Sequence, residues 1–276
     1  MFRGFYTAAS GMLTQQRRTE ILTNNLANVN TPGYKSDNAS IRAFPEMLLQ
    51  RLDSHRIPGS PISIRTSSEV GSVNTGVYVH ETIPQFQQGD LYETNLPLDF
   101  ALRELAMPET ENGIPASIFF AVENPEGGEL YTRNGNFTLD AEGYLTTANG
   151  FYVLDAEGNR IHLENGEFTT SPEGYIEQNG EIVARIGVAF AENANVLRKN
   201  PQGLFELEDG GALPSAYGID GATFTVNQGY IERSNVDATK TMTELLSAYR
   251  TFEANQKVLQ AYDQSMGKAV NEIGKL

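Results

Sequence analysis

The closing stretch, residues 234–276, constrains the fold of this chain more than any other. Alternating steps of three and four pass through Met242, Leu245, Tyr249, Phe252, Gln256, Leu259, Asp263, Met266, Val270 and Ile273, nearly all apolar. That spacing predicts a long helix with one narrow apolar stripe, a coiled-coil-like seam. "SNVD", Ser234 to Asp237, supplies N-cap candidates, and Gly267 is the first glycine to interrupt the pattern. A long helix with a single stripe requires a partner helix.

The other end of the chain offers one. Ala8, Met12, Leu22, Leu26 and Val29 share a helical face, with Phe2, Phe5 and Ala9 on a neighbouring one. The middle of this segment, Thr14 to Glu20, is wholly polar. It ends in an amide run, Asn24, Asn25, Asn28 and Asn30 around Leu26, and then breaks at Thr31-Pro32-Gly33. Asn is a mediocre helix former, so the run reads either as a frayed end or as a polar interface whose amides bond to other helices.

Between the ends the pattern changes twice. Residues 36–75 are rich in Pro, Gly and Ser and read as an extended linker or arm, with a short helix expected at 44–52. From 76 to 233 the pattern is β. Glycines at 127, 135, 143, 150, 158, 166, 174 and 180 recur at intervals of six to eight residues. Asn-Gly stands at 134–135, 149–150, 165–166 and 179–180, a hairpin signal. Residues 182–190, "IVARIGVAF", look the most buried of these strands. The expected architecture is α+β. Terminal helices 1–35 and 234–276 pair as one coiled-coil-like unit that encloses a mainly antiparallel β domain.

Charge separates the same regions. The formal net charge is -15. Residues 1–35 carry four basic side chains against one acidic, whereas 36–233 carries a large acidic excess. An acidic body repels phosphate backbones, which argues against nucleic acid as a partner. The longest apolar run, Ala116 to Val122, falls far short of the roughly 20 residues that span a bilayer. The first residues hold no clean apolar core of a secretory signal. Cys is absent, which removes disulfides and thiolate metal sites.

The sequence holds no clear catalytic constellation. His55, His80 and His162 lack metal-ligand spacing. Asp140, Glu142, Asp155 and Glu157 fall in two "DAEG" stretches that read as turns. "DAEGNRIHLE" (155–164) lacks the alternating oxygens of a calcium loop. No catalytic, cofactor or metal residue is assigned. A secreted adhesin-like module with a helical stalk, or a glycosidase with paired carboxylates, would be the other classes to separate from an assembly protein.

Four blocks carry a resemblance. "SGMLTQQRRTEILTNNLANVNTPGYK" (10–35) resembles the N-terminal signature of flagellar axial proteins, the rod, hook and hook-associated group. "GDLYETNLPLDFAL" (89–102) and "YTRNGNFTLDAEGYLTTANGFYVL" (131–154) resemble blocks of their β domain. Residues 228–274, from "QGYIERSNVDATKT" onward, resemble their C-terminal block. The length points to the rod branch, the FlgF/FlgG type with its Gram-positive FlhO/FlhP form; a hook or hook-associated protein is the alternative.

One element departs from the family pattern. The Gly-x-Gly-Phe-Phe expected after "LDFAL" is replaced by a longer connection over 103–118. The resemblance implies a non-enzymatic subunit of the basal-body rod. It would leave the cell through the flagellar type III export apparatus without a cleaved signal and assemble with itself and other axial proteins. The implied assembly surface comprises Asn24, Asn25, Leu26, Asn28, Asn30, Met242, Leu245, Tyr249, Phe252, Leu259, Met266 and Ile273. Thr31, Pro32 and Gly33 would turn the chain out of the helical core.

Overall fold

A computed structural model describes residues 2–56, 63–108, 116–208 and 210–273. The side chains of residues 2, 52–56, 63–67 and 273 lie outside the described set, and so do the expectations placed on Phe2, His55 and Ile273. The chain is α+β with mainly antiparallel strands and a helix at each end. It divides into two units.

The first unit comprises residues 1–24, 37–83 and 239–276. It holds most of α1 (Phe2–Ala27) and of α2 (Ala238–Lys268), together with β1 (Asp37–Ala43), β2 (Met47–Arg56), β3 (Ser63–Val73) and β4 (Val77–Pro84). β1 pairs with β4, and β2 pairs antiparallel with β3. The helix expected at 44–52 is therefore a strand. Its apolar residues Met47 and Leu48 stand exposed, and backbone pairing with β3 sets its conformation.

The helices run antiparallel and meet at three levels. A Cβ on Gly4 would lie 2.0 Å from the Tyr262 hydroxyl, and one on Gly11 would lie 3.0 Å from the Asn255 amide. Arg18 and Glu244 pair at 3.3 Å. The polar middle of α1 is also used. Thr14 is buried, its hydroxyl within reach of the carbonyls of Ser10 (2.8 Å) and Val77 (3.0 Å).

The second unit comprises residues 25–36 and 84–238. Its strands are β5 (Leu91–Glu93), β6 (Phe100–Ala106), β7 (Ser117–Glu123), β8 (Glu129–Thr132), β9 (Phe137–Leu139), β10 (Leu145–Thr147), β11 (Thr169–Thr170), β12 (Tyr175–Gln178), β13 (Glu181–Arg185), β14 (Val188–Ala191), β15 (Leu197–Lys199), β16 (Phe205–Leu207), β17 (Thr223–Gln228) and β18 (Tyr230–Glu232). The largest sheet has the order β14-β7-β8-β16-β15. β7 is buried along almost its whole length, because alternate side chains enter two different clusters. Ile118, Phe120 and Val122 join Phe100, Leu145 and Ile176 on one face, while Phe119 and Ala121 meet Phe86, Tyr131 and Phe205 on the other. β6 pairs with β17 rather than with β7, so the two strands flanking the atypical connection do not form a hairpin with each other.

The "IVARIGVAF" stretch corrects the expectation of one buried strand. β14 is buried, but β13 is the edge of the three-stranded sheet β11-β12-β13, and Ile182 is 63% exposed. The register between β12 and β13 shifts at Ile176/Glu177, the signature of a bulge. Periodicity alone cannot distinguish an edge strand from a central one.

The "DAEG" turns follow one design. Asp140 Oδ1 accepts the N–H groups of Glu142 (3.0 Å) and Tyr144 (2.8 Å). Asp155 Oδ1 accepts those of Glu157 and Asn159 (both 2.8 Å). The glycine of each turn has positive φ, 87° and 88°. These carboxylates shape the backbone, an Asx-turn role.

Candidate functional site

The blocks that carry the family resemblance converge on one buried polar junction in the second unit. The chain leaving α1 passes through Gly33, whose φ is +67°. A Cβ there would lie 2.4 Å from the Arg133 carbonyl carbon, so both conformation and space require glycine. The Gly33 N–H donates to the Glu232 carbonyl (2.8 Å). Tyr34 is buried next; its hydroxyl donates to Asn25 Oδ1 (3.1 Å), and Lys199 lies over its ring at 4.0 Å.

Lys35 then enters the interior, only 2% exposed. Its Nζ donates to Glu232 Oε1 (2.6 Å) and to the Gln87 carbonyl (2.8 Å). The Gly89 N–H donates to the same Oε1 (2.8 Å). Arg133 Nε donates to Glu232 Oε2 (2.5 Å), and its Nη1 donates to Glu104 Oε1 (2.7 Å) and the Ile118 carbonyl. Two cations and two carboxylates thus balance in charge. Arg133 Nη2 has no partner among the described residues.

The electrostatics follow from the packing. Burial pushes the Glu232 carboxyl up, but Arg133 and Lys35 together hold it below the usual carboxylate range. Burial opposes the charge on Arg133, yet Glu232 and Glu104 raise its pKa further. For Lys35, burial and the nearby Arg133 charge outweigh Glu232, and its amine is held below the ordinary lysine value. Such a cluster is costly to desolvate, and removing one member leaves the others uncompensated.

Asn235, the middle residue of "SNV", completes the junction. Its side-chain nitrogen donates to the carbonyls of Gln85 (2.8 Å) and Gln87 (3.1 Å), and its oxygen accepts the Ser36 N–H (2.8 Å). One amide therefore ties the exit from α1, the entry to the β domain and the approach to α2. Lys35, Glu104, Arg133, Glu232 and Asn235 were not singled out by sequence pattern. Lys35, Arg133 and Glu232 had position within the resembling blocks as their signal, Asn235 stood among the N-cap candidates, and Glu104 lay just beyond a block.

The residues expected to form an assembly surface are distributed as follows. Asn24 and Asn30 are exposed, Leu26 and Asn28 half-buried, and Asn25 buried in its bond to Tyr34. Asn28 Oδ1 accepts the Thr31 hydroxyl at 3.1 Å. Thr31 is exposed, Pro32 half-buried and Gly33 buried. On α2, Leu245, Phe252, Leu259 and Met266 are half-buried, whereas Met242 (57%) and Tyr249 (51%) are exposed.

The covered face of α2 runs Thr241, Leu245, Ala248, Phe252, Asn255, Leu259, Tyr262, Met266 and Ala269. It shares every second position of the apolar stripe and differs by one residue at the others. Met242, Leu246 and Tyr249 therefore form a second, outward apolar row at the start of α2.

The fold and its junction define a structural protein: a β body whose terminal segments are anchored where both helices depart. Models of three families match along the chain: "Flagella basal body rod protein" over residues 5–35, "Flagellar hook protein FlgE/F/G D1 domain" over 114–231, and "Flagellar basal body rod FlgEFG protein C-terminal" over 227–272. The flagellar hook-basal body complex protein FlhO of Bacillus subtilis (strain 168) is 45% identical, with both chains covered in full. The flagellar basal-body rod protein FlgG of Agrobacterium fabrum is 31% identical over 95% of this chain and 96% of its own. The FlgG of Bacillus subtilis is 29% identical over 98% and 99%. The chain belongs to the flagellar basal-body rod protein family, whose members are structural proteins rather than enzymes. No helix among the described residues is long and apolar enough to cross a membrane.

Proposed function

We propose that this chain is a structural subunit of the bacterial flagellar basal-body rod, polymerising through its terminal helices into a helical tube that serves as a drive shaft. Residues 1–35 and 234–276 form its core helical domain as a coiled-coil-like pair, 36–75 an arm, and 76–233 an outer β domain. Its partners are further copies and other rod or hook axial proteins, after passage through the flagellar type III export apparatus. Thr31-Pro32-Gly33 turns the chain out of the helical core.

The supporting observation is the division of α2 into two apolar rows. The inward row faces α1, and the outward row of Met242, Leu246 and Tyr249 has no cover within the first unit. A contiguous exposed apolar patch on a helix marks an interaction site. Asn24, Leu26, Asn28 and Asn30 are assigned to the assembly surface as well. Asn25, bonded to Tyr34, and Leu245, Phe252, Leu259, Met266 and Ile273 complete the proposed assembly residues.

The test is the double variant Met242→Glu/Tyr249→Asp, expressed from the native locus. It should give a soluble subunit with an unchanged β-domain melting curve that is absent from purified basal bodies, and cells that do not swim. Doubly substituted subunits that still enter basal bodies would sink the terminal-helix reading. A hook location is the second reading, supported by the hook D1 description that matches residues 114–231. Labelling the subunit in isolated hook-basal bodies separates rod from hook.

A further inference from the structure

The Asn-Gly dipeptides are not equivalent in the fold, and the difference bears on their chemistry. Asn followed by Gly is prone to self-attack, since glycine has no Cβ to shield its amide nitrogen. We propose that Asn179 is a site of spontaneous deamidation and that the fold protects Asn134, Asn149 and Asn165 from the same reaction.

The reaction is balanced without any oxidant or enzyme. The amide nitrogen of the following glycine, having lost its proton, attacks the Asn Cγ and forms a C–N bond. The Cγ–Nδ2 bond breaks, the carboxamide nitrogen leaves as ammonia, and a five-membered succinimide remains. Water then adds to either imide carbonyl, giving aspartate or isoaspartate. Water is consumed, ammonia is released, and one negative charge is gained.

At Asn179 the residue and its glycine are exposed, and a Cβ on Gly180 would meet nothing within 4 Å. No hydrogen bond holds its carboxamide among the described residues. Asn149 and Gly150 are equally exposed, but the attacking Gly150 N–H donates to the Thr147 carbonyl (2.9 Å), so reaction there requires that turn to open first.

At Asn134 the following glycine is buried, and a Cβ there would lie 1.8 Å from the Phe100 carbonyl oxygen. The Asn134 Oδ1 also accepts the Asn136 N–H (3.0 Å). Asn165 has open space around Gly166, but its carboxamide is held: Oδ1 accepts Gln178 Nε2 (2.8 Å) and the Glu167 N–H (3.1 Å). Reaction at either site requires local opening first. The remaining Asn-Gly, at 112–113, lies outside the described residues.

The consequence is largest at Asn179. It has φ +56° and Gly180 has φ +85°, a two-residue turn of the primed kind between β12 and β13. Isoaspartate adds a main-chain methylene there and breaks that turn geometry.

The test is to hold the full-length protein at pH 9, natively and in guanidinium, and to map the conversion by mass spectrometry with fragmentation. Native protein should convert at Asn179 about tenfold or more faster than at Asn134, Asn149 and Asn165, the factor given by ~1.4 kcal/mol of opening cost. Denatured protein should lose that ranking. Native conversion at Asn134, Asn149 or Asn165 matching that at Asn179 overturns the proposal, as does absence of native conversion at Asn179.

Discussion

The two units spend their sequence differently. In the second, two aromatic and aliphatic clusters close around β7, and a net-neutral set of charges is sealed within the body. In the first, the buried side chains among the described residues are Ala8, Thr14, Leu22, Thr241 and Ala248. Antiparallel helices that bury so little have weak grounds for stability on their own. A two-stranded ribbon such as β2–β3 is likewise marginal without a covering layer. The β body thus carries its own buried core, and the helical unit buries few side chains. The junction at Lys35 and Glu232 makes the anchorage of both helix-bearing segments a property of the body.

That contrast breaks if the body does not respond to loss of the junction. Glu232→Leu removes the carboxylate that Lys35 and Arg133 share and should cost about 3–5 kcal/mol in urea unfolding followed by β-sheet signal. A cost below ~1 kcal/mol would show that the junction is not part of the body's stability.

Acid should act on the same group. The Glu232 carboxyl is held low, so its contribution is complete above the ordinary value of ~4.3 and is lost as pH falls through its lower folded value. Lys35 is also held low. Between its folded value and the ordinary ~10.4 the unfolded chain binds more protons, so its effect is stability that rises with pH. Acid titration of Glu232→Gln should show a flatter low-pH limb than the parent; identical limbs would assign the acid response to other carboxylates.

Asn235→Ala deletes one amide that serves three segments and leaves the Gln85 carbonyl and the Ser36 N–H without these bonds. It should cost about 1–3 kcal/mol, read by the same unfolding curve. The smallest effect belongs to the other unit: Leu246→Ser lies on the outward row of α2 and should shift body stability by less than ~0.5 kcal/mol. A larger shift would mean that α2 props up the body, and the contrast between the units would fail.

Identical local signals had different outcomes. Asn179-Gly180 forms the tight hairpin turn that its sequence suggests, with both residues at positive φ. Asn134-Gly135 has the same letters, yet its glycine is there because the Phe100 carbonyl leaves no room for a Cβ. The apolar stripe on α2 was legible at Leu245, Phe252, Leu259 and Met266, where large side chains carry the signal. Its other half was displaced by one residue, because Gly4 and Gly11 accept Tyr262 and Asn255 rather than aliphatic neighbours. Hydrophobicity counting passes over a seam built from glycine facing a tyrosine or an amide.

By itself the sequence determined the α+β class, the helix at each end, the Asx turns and the absence of thiol chemistry. These follow from short-range spacing and composition, which act within a few residues. Only the tertiary structure decided that Lys35, Glu104, Arg133 and Glu232 meet, that Ile182 lies at an edge while Phe119 and Phe120 lie in the core, and which row of α2 faces α1. Those outcomes depend on contacts between residues some two hundred positions apart and more. The sequence pattern sets which surfaces want burial, and long-range packing sets which of them obtain it.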